Sequence, residues 1–254
     1  MLELTFTRLA GAPTSPSMVV VGPSLGTSVT ALWDRAAALL DAEVFGWDLP
    51  GHGQSPSTTR SFSISGIATE VRAAAADRAR GRWAAYAGVS LGGAVALELA
   101  LLPGVFRQIT CIAGSARMGD PLMWQERAER VRQSGMSIMV EPAKRRWFAP
   151  GFVDREPAVT NRLLSSLTQA DAESYALACE ALAFYDVRSL MPLVQPVLTV
   201  APGEHDSEPT PEQAKELAAA AAASFTVLSG CGHLPPAEDP VAVARLLTGG
   251  HRHD

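Results

Sequence analysis

The sequence predicts an α/β protein built on a doubly wound, mostly parallel sheet, and three observations lead to this prediction. Short apolar runs of strand length recur along the 254-residue chain and alternate with segments of helical patterning. The runs are apolar throughout, which is typical of strands covered by helices on both faces of a parallel sheet. One long stretch, from Asp120 to about Met191, breaks the alternation because it contains helical patterns only.

The predicted strands begin with residues 1–9, whose alternating apolar and polar side chains indicate a half-exposed edge strand. Six further strands are predicted at Met18–Val21, Val44–Trp47, Trp83–Gly88, Ile109–Ala113, Val197–Ala201 and Phe225–Leu228. Helices are predicted between and after them, at Val29–Leu40, Ile64–Arg80, Leu91–Leu102, Glu212–Ala222 and Pro240–Leu247. The crossovers between parallel strands are expected to be right-handed.

The long helical stretch predicts a cap inserted after a central strand. Its helical patterns cover Trp124–Ser134, Arg155–Leu167 and Ala172–Phe184, and prolines separate them. We therefore expect a core made of residues 1–118 and 192–254, with residues 119–191 forming a lid over the carboxyl edge of the sheet.

The composition is that of a globular protein, with 47% hydrophobic and 19% charged residues, which excludes disordered and collagen-like classes. The net charge is −5 and both signs are interspersed, so a nucleic-acid partner is not expected. The first nine residues do not resemble a signal peptide, and Met18–Val21 is too short to span a membrane. We expect a cytoplasmic protein without a membrane partner.

The three cysteines, Cys111, Cys179 and Cys231, show neither a CxxC pair nor a metal-ligand spacing. They are expected to be reduced, buried side chains. No spacing in the sequence indicates a metal or another cofactor, and the oligomeric state is not predicted.

The strongest chemical signal is Gly88-Val89-Ser90-Leu91-Gly92, a G-x-S-x-G pattern directly after a predicted strand and before a predicted helix. In this context the serine lies on a strained turn that exposes its hydroxyl at the sheet edge. Glycines on both sides remove the Cβ atoms that would clash with the strand and the helix. Ser90 is therefore the predicted nucleophile.

A serine hydroxyl needs a base, and His233 is the candidate because it follows the last predicted strand. The remaining histidines, His52 and His205 in loops and His251 and His253 near the end of the chain, are weaker candidates.

The base in turn needs an acid to orient it, and the loop after Val197–Ala201 offers three carboxylates. Asp206 is favoured, with Glu204 and Glu208 as alternatives.

Acyl transfer also needs two N–H donors for the oxyanion. The residue after the nucleophile, Leu91, supplies one of them. Leu25, in the glycine- and proline-containing loop after Met18–Val21, is the candidate for the other.

These motifs resemble the α/β-hydrolase superfamily, and the likeness extends to one of its groups, the 3-oxoadipate enol-lactone hydrolases. Ser24-Leu25-Gly26-Thr27 ahead of a helix with Trp33 is similar to the corresponding loop of that group, as is the glycine-rich turn around Ser90. Segments of the cap add to the resemblance, namely Gly119-Asp120-Pro121 with Trp124, Gly135-Met136, Arg146-Trp147-Phe148, Arg155–Val159, and Tyr175 with Cys179–Leu182.

The resemblance implies the α/β-hydrolase fold and hydrolysis of 3-oxoadipate enol-lactone to 3-oxoadipate, a step in the degradation of aromatic compounds, without a cofactor. A substrate with a free carboxylate needs a cation in its pocket. The cap offers five arginines for this role, Arg117, Arg127, Arg130, Arg145 and Arg146. The candidates for substrate binding are Ser24, Trp124, Arg146 and Trp147.

Three segments depart from the group's pattern. Leu49-Pro50 stands where many of these lactonases carry Thr-Arg, which leaves the substrate preference open. The loop Glu204–Glu208 differs from the usual form, although counting back from Glu216-Leu217-Ala218 places Asp206 on the group's acid, and the N-terminal region supplies one strand where many relatives have a hairpin. Three alternatives remain open: a carboxylesterase or a hydrolase of another lactone, a carbon–carbon bond hydrolase, and a non-catalytic protein that binds a small molecule. Epoxide hydrolases and haloalkane dehalogenases are disfavoured because Ser90 stands where they have an aspartate.

Overall fold

A computed structural model describes residues 2–195 and 197–249. These residues form a seven-stranded sheet with strand order β1-β3-β2-β4-β5-β6-β7. The strands are β1 Phe6–Ala10, β2 Met18–Gly22, β3 Glu43–Trp47, β4 Ala84–Val89, β5 Phe106–Ile112, β6 Leu198–Ala201 and β7 Ser224–Phe225. Strand β1 is antiparallel to β3, and every other neighbouring pair is parallel. The predicted fold class is confirmed.

The strand bounds differ from the prediction mainly at the two edges. The first strand begins at Phe6, while Leu2 and Leu4 pack against the core outside it. The last strand was predicted at Phe225–Leu228, but regular pairing ends at Phe225. Beyond that point the chain still follows β6, because Leu228 N–H donates to the Pro202 carbonyl at 2.8 Å. Pro202 has no N–H to donate, so the regular ladder ends before it, and one isolated parallel bridge follows between Gly203 and Leu228.

The helices that cover the sheet fall into two groups. One consists of α2 (Ile64–Ala79) and α3 (Leu91–Leu101), which pack on each other. The other consists of α1 (Val29–Ala37), α10 (Pro235–Glu238) and α11 (Pro240–Gly249).

Helix α3 contacts β2, β4 and β5, and nine of its eleven residues are buried. Because such helices cover the strands, the strand sequences are apolar throughout. Helix α9 (Pro211–Ala220) packs on β6 and β7. The two histidines near the chain end, His251 and His253, lie outside the described residues.

Between β5 and β6 lies a helical insertion of residues 121–193. Its helices are α4 Pro121–Ser134, α5 Val140–Trp147, α6 Phe152–Arg155, α7 Pro157–Gln169 and α8 Ala172–Ala183, with 3₁₀ turns at Met136–Met139 and Arg188–Leu193. Helices α4 and α8 pack side by side. An antiparallel bridge between Arg117 and Asp186 joins the two ends of the insertion.

Helix α5 is the longest of the helices that the sequence pattern missed, the others being α6 and α10. Pro142 interrupts the apparent helical pattern, but in the structure it occupies the first turn of α5, where a proline costs no intrahelical hydrogen bond. Helix α4 begins three residues earlier than Trp124, because the Asp120 side chain caps it by accepting from Leu122 N–H at 3.0 Å. None of the helices within the described ranges is long and apolar enough to cross a membrane.

Candidate active site

Ser90 occupies the tight turn between β4 and α3. Its backbone has φ 57° and ψ −109°, a conformation that a residue with a side chain adopts only where the surroundings enforce it. A hydrogen bond of 2.9 Å from Ser90 N–H to the Ile112 carbonyl ties the turn to β5. A Cβ on Gly88 would lie 2.0 Å from the Gly92 carbonyl oxygen, so the turn can close only with glycine there.

His233 and Asp206 are in direct contact below the surface. His233 Nδ1 donates to Asp206 Oδ2 at 2.8 Å, and the two residues are only 1% and 4% exposed. The other oxygen of Asp206 accepts from Glu208 N–H at 3.0 Å, which holds the carboxylate in one orientation. The imidazole therefore keeps its proton on Nδ1 and presents Nε2 with a lone pair.

The two alternative acids lie elsewhere. Glu204 is exposed and accepts from Ser229 Oγ at 2.7 Å and Gly230 N–H at 2.8 Å. Glu208 lies with its Oε2 atom 3.9 Å from Arg146 Nη2. Of the three carboxylates in this loop, Asp206 is the one that contacts His233 in the described structure.

The loop after β2 forms a closed turn next to Ser90. Ser24 N–H donates to Thr27 Oγ1 at 3.1 Å, and Thr27 N–H donates to the Ser24 carbonyl at 3.0 Å. Gly92 N–H donates to the Pro23 carbonyl at 3.0 Å and so joins this loop to the start of α3. Across residues 2–195 and 197–249, neither Leu25 N–H nor Leu91 N–H has a hydrogen-bond acceptor.

Ser90 and His233 line one small cavity of about 40 Å³ beneath the helical insertion. Such a volume holds water-sized groups only. All four residues predicted to bind substrate contribute to its wall. The lining residues are Ser24, Leu25, Ser90, Trp124, Arg127, Met139, Pro142, Ala143, Arg146, Trp147, Leu167, Tyr175 and His233.

Two of the five candidate arginines, Arg127 and Arg146, reach this cavity. Arg146 Nε is buried and has no hydrogen-bond partner within the described ranges. Burial lowers the pKa of Arg146, the effect opposed by Glu208, but an arginine remains charged at neutral pH. Arg127 lies over the Trp124 ring at 4.4 Å. The cavity is therefore cationic at the end formed by the insertion.

A larger cavity of about 540 Å³ adjoins the small one. Trp124 and Arg146 line both cavities and separate them. Arg117 lines only the outer cavity, while Arg130 and Arg145 line neither.

Tyr175 lines the cavity and His52 packs behind it, and the sequence patterns predicted neither of these positions. The His52 ring is stacked on the Tyr175 ring with centroids 6.0 Å apart, and its Nδ1 donates to the Pro50 carbonyl at 2.8 Å. Complete burial lowers the pKa of His52 to about 4, so the ring is neutral and acts as packing. The resemblance of the segment starting at Tyr175 was the available signal, but no spacing rule links it to His52.

The cysteines are buried and free, as expected. Burial raises the pKa of the Cys231 thiol to about 12, so this residue near His233 stays protonated and unreactive.

The chain is similar in sequence and in fold to known proteins. The family described as the alpha/beta hydrolase family matches residues 10–246. 3-oxoadipate enol-lactonase 2 of Acinetobacter baylyi is 32% identical over 228 residues, which are 88% of this chain and 84% of that protein. 3-oxoadipate enol-lactonase 1 of the same organism is 30% identical over 193 residues, 74% of this chain and 71% of that protein.

Among solved structures, the enol-lactonase from Burkholderia xenovorans superimposes with a TM-score of 0.89 at 28% identity, covering 97% of this chain and 95% of that one. The similarity thus extends over both the sheet and the helical insertion. The resemblance to 3-oxoadipate enol-lactonases that the sequence motifs indicate is confirmed, and the chain belongs to the alpha/beta hydrolase family.

Proposed function

We propose that this protein hydrolyses a small enol-lactone that carries a carboxylate, with 3-oxoadipate enol-lactone as the substrate and Ser90, His233 and Asp206 as the catalytic triad. The observation that carries the proposal is the pairing of two arginines with the serine and histidine in one cavity. The Arg146 side chain is 20% exposed and its buried Nε–H has no partner within the described residues, an arrangement that suits a carboxylate ligand. The names of the enol-lactonase relatives support the same substrate class.

The first half of the reaction would form an acyl-enzyme. His233 Nε2 takes the proton of the Ser90 hydroxyl as Oγ attacks the lactone carbonyl carbon. The hydrogen bond from His233 Nδ1 to Asp206 favours the tautomer in which Nε2 can accept and stabilises the imidazolium that forms. The ring oxygen then leaves as an enol and receives the proton from His233.

Negative charge on the carbonyl oxygen would be stabilised by backbone donors. Leu25 N–H and Leu91 N–H are unpaired within the described residues. Leu25 lines the cavity with Ser90, and Leu91 directly follows Ser90 in the chain. Leu91 is also the first residue of α3, where the helix dipole favours a negative charge. Fixed donors of this kind contribute the largest single effect in many acyl-transfer enzymes.

The second half would consume one water. His233, now neutral again, takes a proton from a water that attacks the acyl carbon and passes it to Ser90 Oγ. The acyl chain leaves as a carboxylic acid, which then ionises to the carboxylate in water. The released enol rearranges to the ketone in water. The product carries two carboxylates, so it would interact with the arginines of the wall even more strongly than the substrate does.

The lactone is larger than the small cavity, so binding requires Trp124 or Arg146 to move and join the two cavities. Ser24, Trp124, Arg146 and Trp147 would then surround the bound lactone. We place the reaction in the degradation of aromatic compounds, as the relatives' substrate implies. A cytoplasmic location remains a prediction from the sequence.

The test follows lactone hydrolysis by loss of ultraviolet absorbance, with p-nitrophenyl acetate measured in parallel. We expect kcat/KM of at least about 10⁵ M⁻¹s⁻¹ on the lactone. This activity should disappear in Ser90→Ala and persist in Ser165→Ala, a matched change at an exposed serine of α7.

Two other outcomes would count against the proposal. Ester activity without lactone activity would leave a serine hydrolase with another substrate. Inactivity of the wild type on both would favour a carbon–carbon bond hydrolase or a non-catalytic binding protein.

A further inference from the structure

Glu238, the last residue of α10, accepts hydrogen bonds from the loop that carries His233. Its Oε1 atom accepts from Gly232 N–H at 2.9 Å and from Leu234 N–H at 3.2 Å. These two N–H groups belong to the residues directly before and after His233. One oxygen of Glu238 therefore holds the backbone that carries the predicted base.

The other oxygen of Glu238 binds the helical insertion. Glu238 Oε2 accepts from Ala149 N–H at 2.7 Å. Ala149 follows α5, the helix whose last residues, Arg146 and Trp147, line the cavity with Ser90. A single carboxylate thus joins the His233 loop to the wall that would bind the substrate.

Two further contacts show that this junction is tightly built. His233 N–H donates to the Trp147 carbonyl at 3.0 Å. A Cβ on Gly232 would lie only 2.6 Å from Ala149 N, so the two backbones approach as closely as glycine permits. The position of His233 along its loop is consequently coupled to the position of α5.

The chemistry of the junction requires a carboxylate. All three donors are backbone N–H groups, and an ionised carboxylate is the side chain whose two oxygens both accept. Burial raises the pKa of Glu238, while the three N–H groups and the nearby His233 lower it. A glutamine would offer one accepting oxygen, and its NH₂ group would face an N–H on the other side.

We propose that Glu238 is a positioning residue that fixes the backbone of the His233 loop relative to α5. The base then keeps its position relative to the residues of α5 that would bind the substrate. This inference rests on the proposed function, because it assigns His233 as the base. Glu238 does not line the cavity that contains Ser90. It therefore acts through the backbone of the His233 loop.

The test compares Glu238→Gln with Glu204→Gln as the matched control. Glu204 also accepts backbone and hydroxyl hydrogens in the same loop, but both reach one oxygen, which glutamine retains. For Glu238→Gln we expect kcat on p-nitrophenyl acetate and on the lactone to fall about 10- to 100-fold, since small misplacements of a catalytic group have effects of this size. KM for the acetate should change less than about threefold, and Glu204→Gln should match the wild type.

Hydrogen exchange supplies the second readout. In Glu238→Gln the amides of Ala149, Gly232 and Leu234 should exchange faster, while amides in β4 and α3 keep their wild-type rates. The proposal is overturned if these amides are released and kcat stays within threefold of the wild type. It is also overturned if exchange accelerates throughout the protein, because the loss of rate would then reflect general destabilisation.

Failure of the proposed function gives a different pattern. A wild type without activity on either substrate would refute the triad before any variant is compared. An active wild type whose Ser90→Ala variant is inactive, together with an unaffected Glu238→Gln, would refute only the positioning role. If Glu238→Gln does not fold, replacement of Gly232 by alanine tests the same junction from the other side, with loss of kcat expected and an unchanged kcat contradicting the inference.

Discussion

Replacement of Arg146 by methionine tests whether this side chain recognises the substrate carboxylate. Methionine keeps an unbranched apolar stem of comparable length and removes the guanidinium, so packing beside Trp147 is largely retained. The Arg146 side chain is 20% exposed and its nearest carboxylate is Glu208, at 3.9 Å. Its charge is therefore available to a ligand rather than committed to a close internal ion pair.

The expected magnitude follows from the charge on both partners of the hydrogen bond. A hydrogen bond between charged partners contributes about 1.5–3 kcal/mol net, and about 1.4 kcal/mol corresponds to a factor of ten. We expect kcat/KM for 3-oxoadipate enol-lactone to fall about 10- to 150-fold in Arg146→Met. Because p-nitrophenyl acetate has no carboxylate, its kcat/KM should change less than about threefold.

The assay is the ratio of the two kcat/KM values at low ionic strength and at neutral pH. The matched control is Arg145→Met, which removes the same charge from the neighbouring, exposed position of α5. An equal loss on both substrates would refute the reasoning, as would a loss of the same size in Arg145→Met. A selective loss in Arg127→Met with none in Arg146→Met would assign the carboxylate to the other arginine.

Two further predictions concern buried titratable groups. Asp206→Asn should lower kcat about 10³- to 10⁴-fold, because the amide favours the wrong tautomer of His233, whereas a variant retaining a tenth of the rate would contradict the triad. The pKa of His52 is lowered from 6.5 to about 4 by burial, so the unfolded chain binds the proton first as the pH falls from 6.5 to 4. The free energy of unfolding should therefore decrease by about 3 kcal/mol across this range. Chemical denaturation at several pH values should show this slope in the wild type and not in His52→Asn, and equal slopes in the two proteins would contradict it.

Part of the site could be predicted from the sequence because it depends on residues that are close together in the chain. Gly88 and Gly92 flank Ser90 within five consecutive residues, and the backbone strain of that turn depends on those residues and their immediate strand and helix. The apolar runs predicted the sheet for the same reason, since a strand buried on both faces must be apolar throughout. The family resemblance added the direction of the chemistry, because motifs in the insertion are shared with the enol-lactonases.

Other features depend on contacts between distant segments. The sequence offered three acids in one loop, and only the folded path of that loop brings Asp206 to His233. It contained five candidate arginines, and only the folding of the insertion places Arg127 of α4 and Arg146 of α5 in the wall of the cavity. Helix α5 was hidden because Pro142 can be judged harmless only when the start of the helix is known.

Glu238 shows the limit of sequence reading most clearly. Its three partners are backbone N–H groups, which every residue except proline possesses, and one of them lies 89 residues away in the chain. A pattern of side-chain types therefore cannot predict the contacts of Glu238. The sequence by itself determined the sheet, the nucleophile turn and the order of the catalytic candidates, because each depends on neighbouring residues. Only the tertiary structure decided which acid, which arginines and which carboxylate meet at the site, because those choices are set by how separate loops and helices pack together.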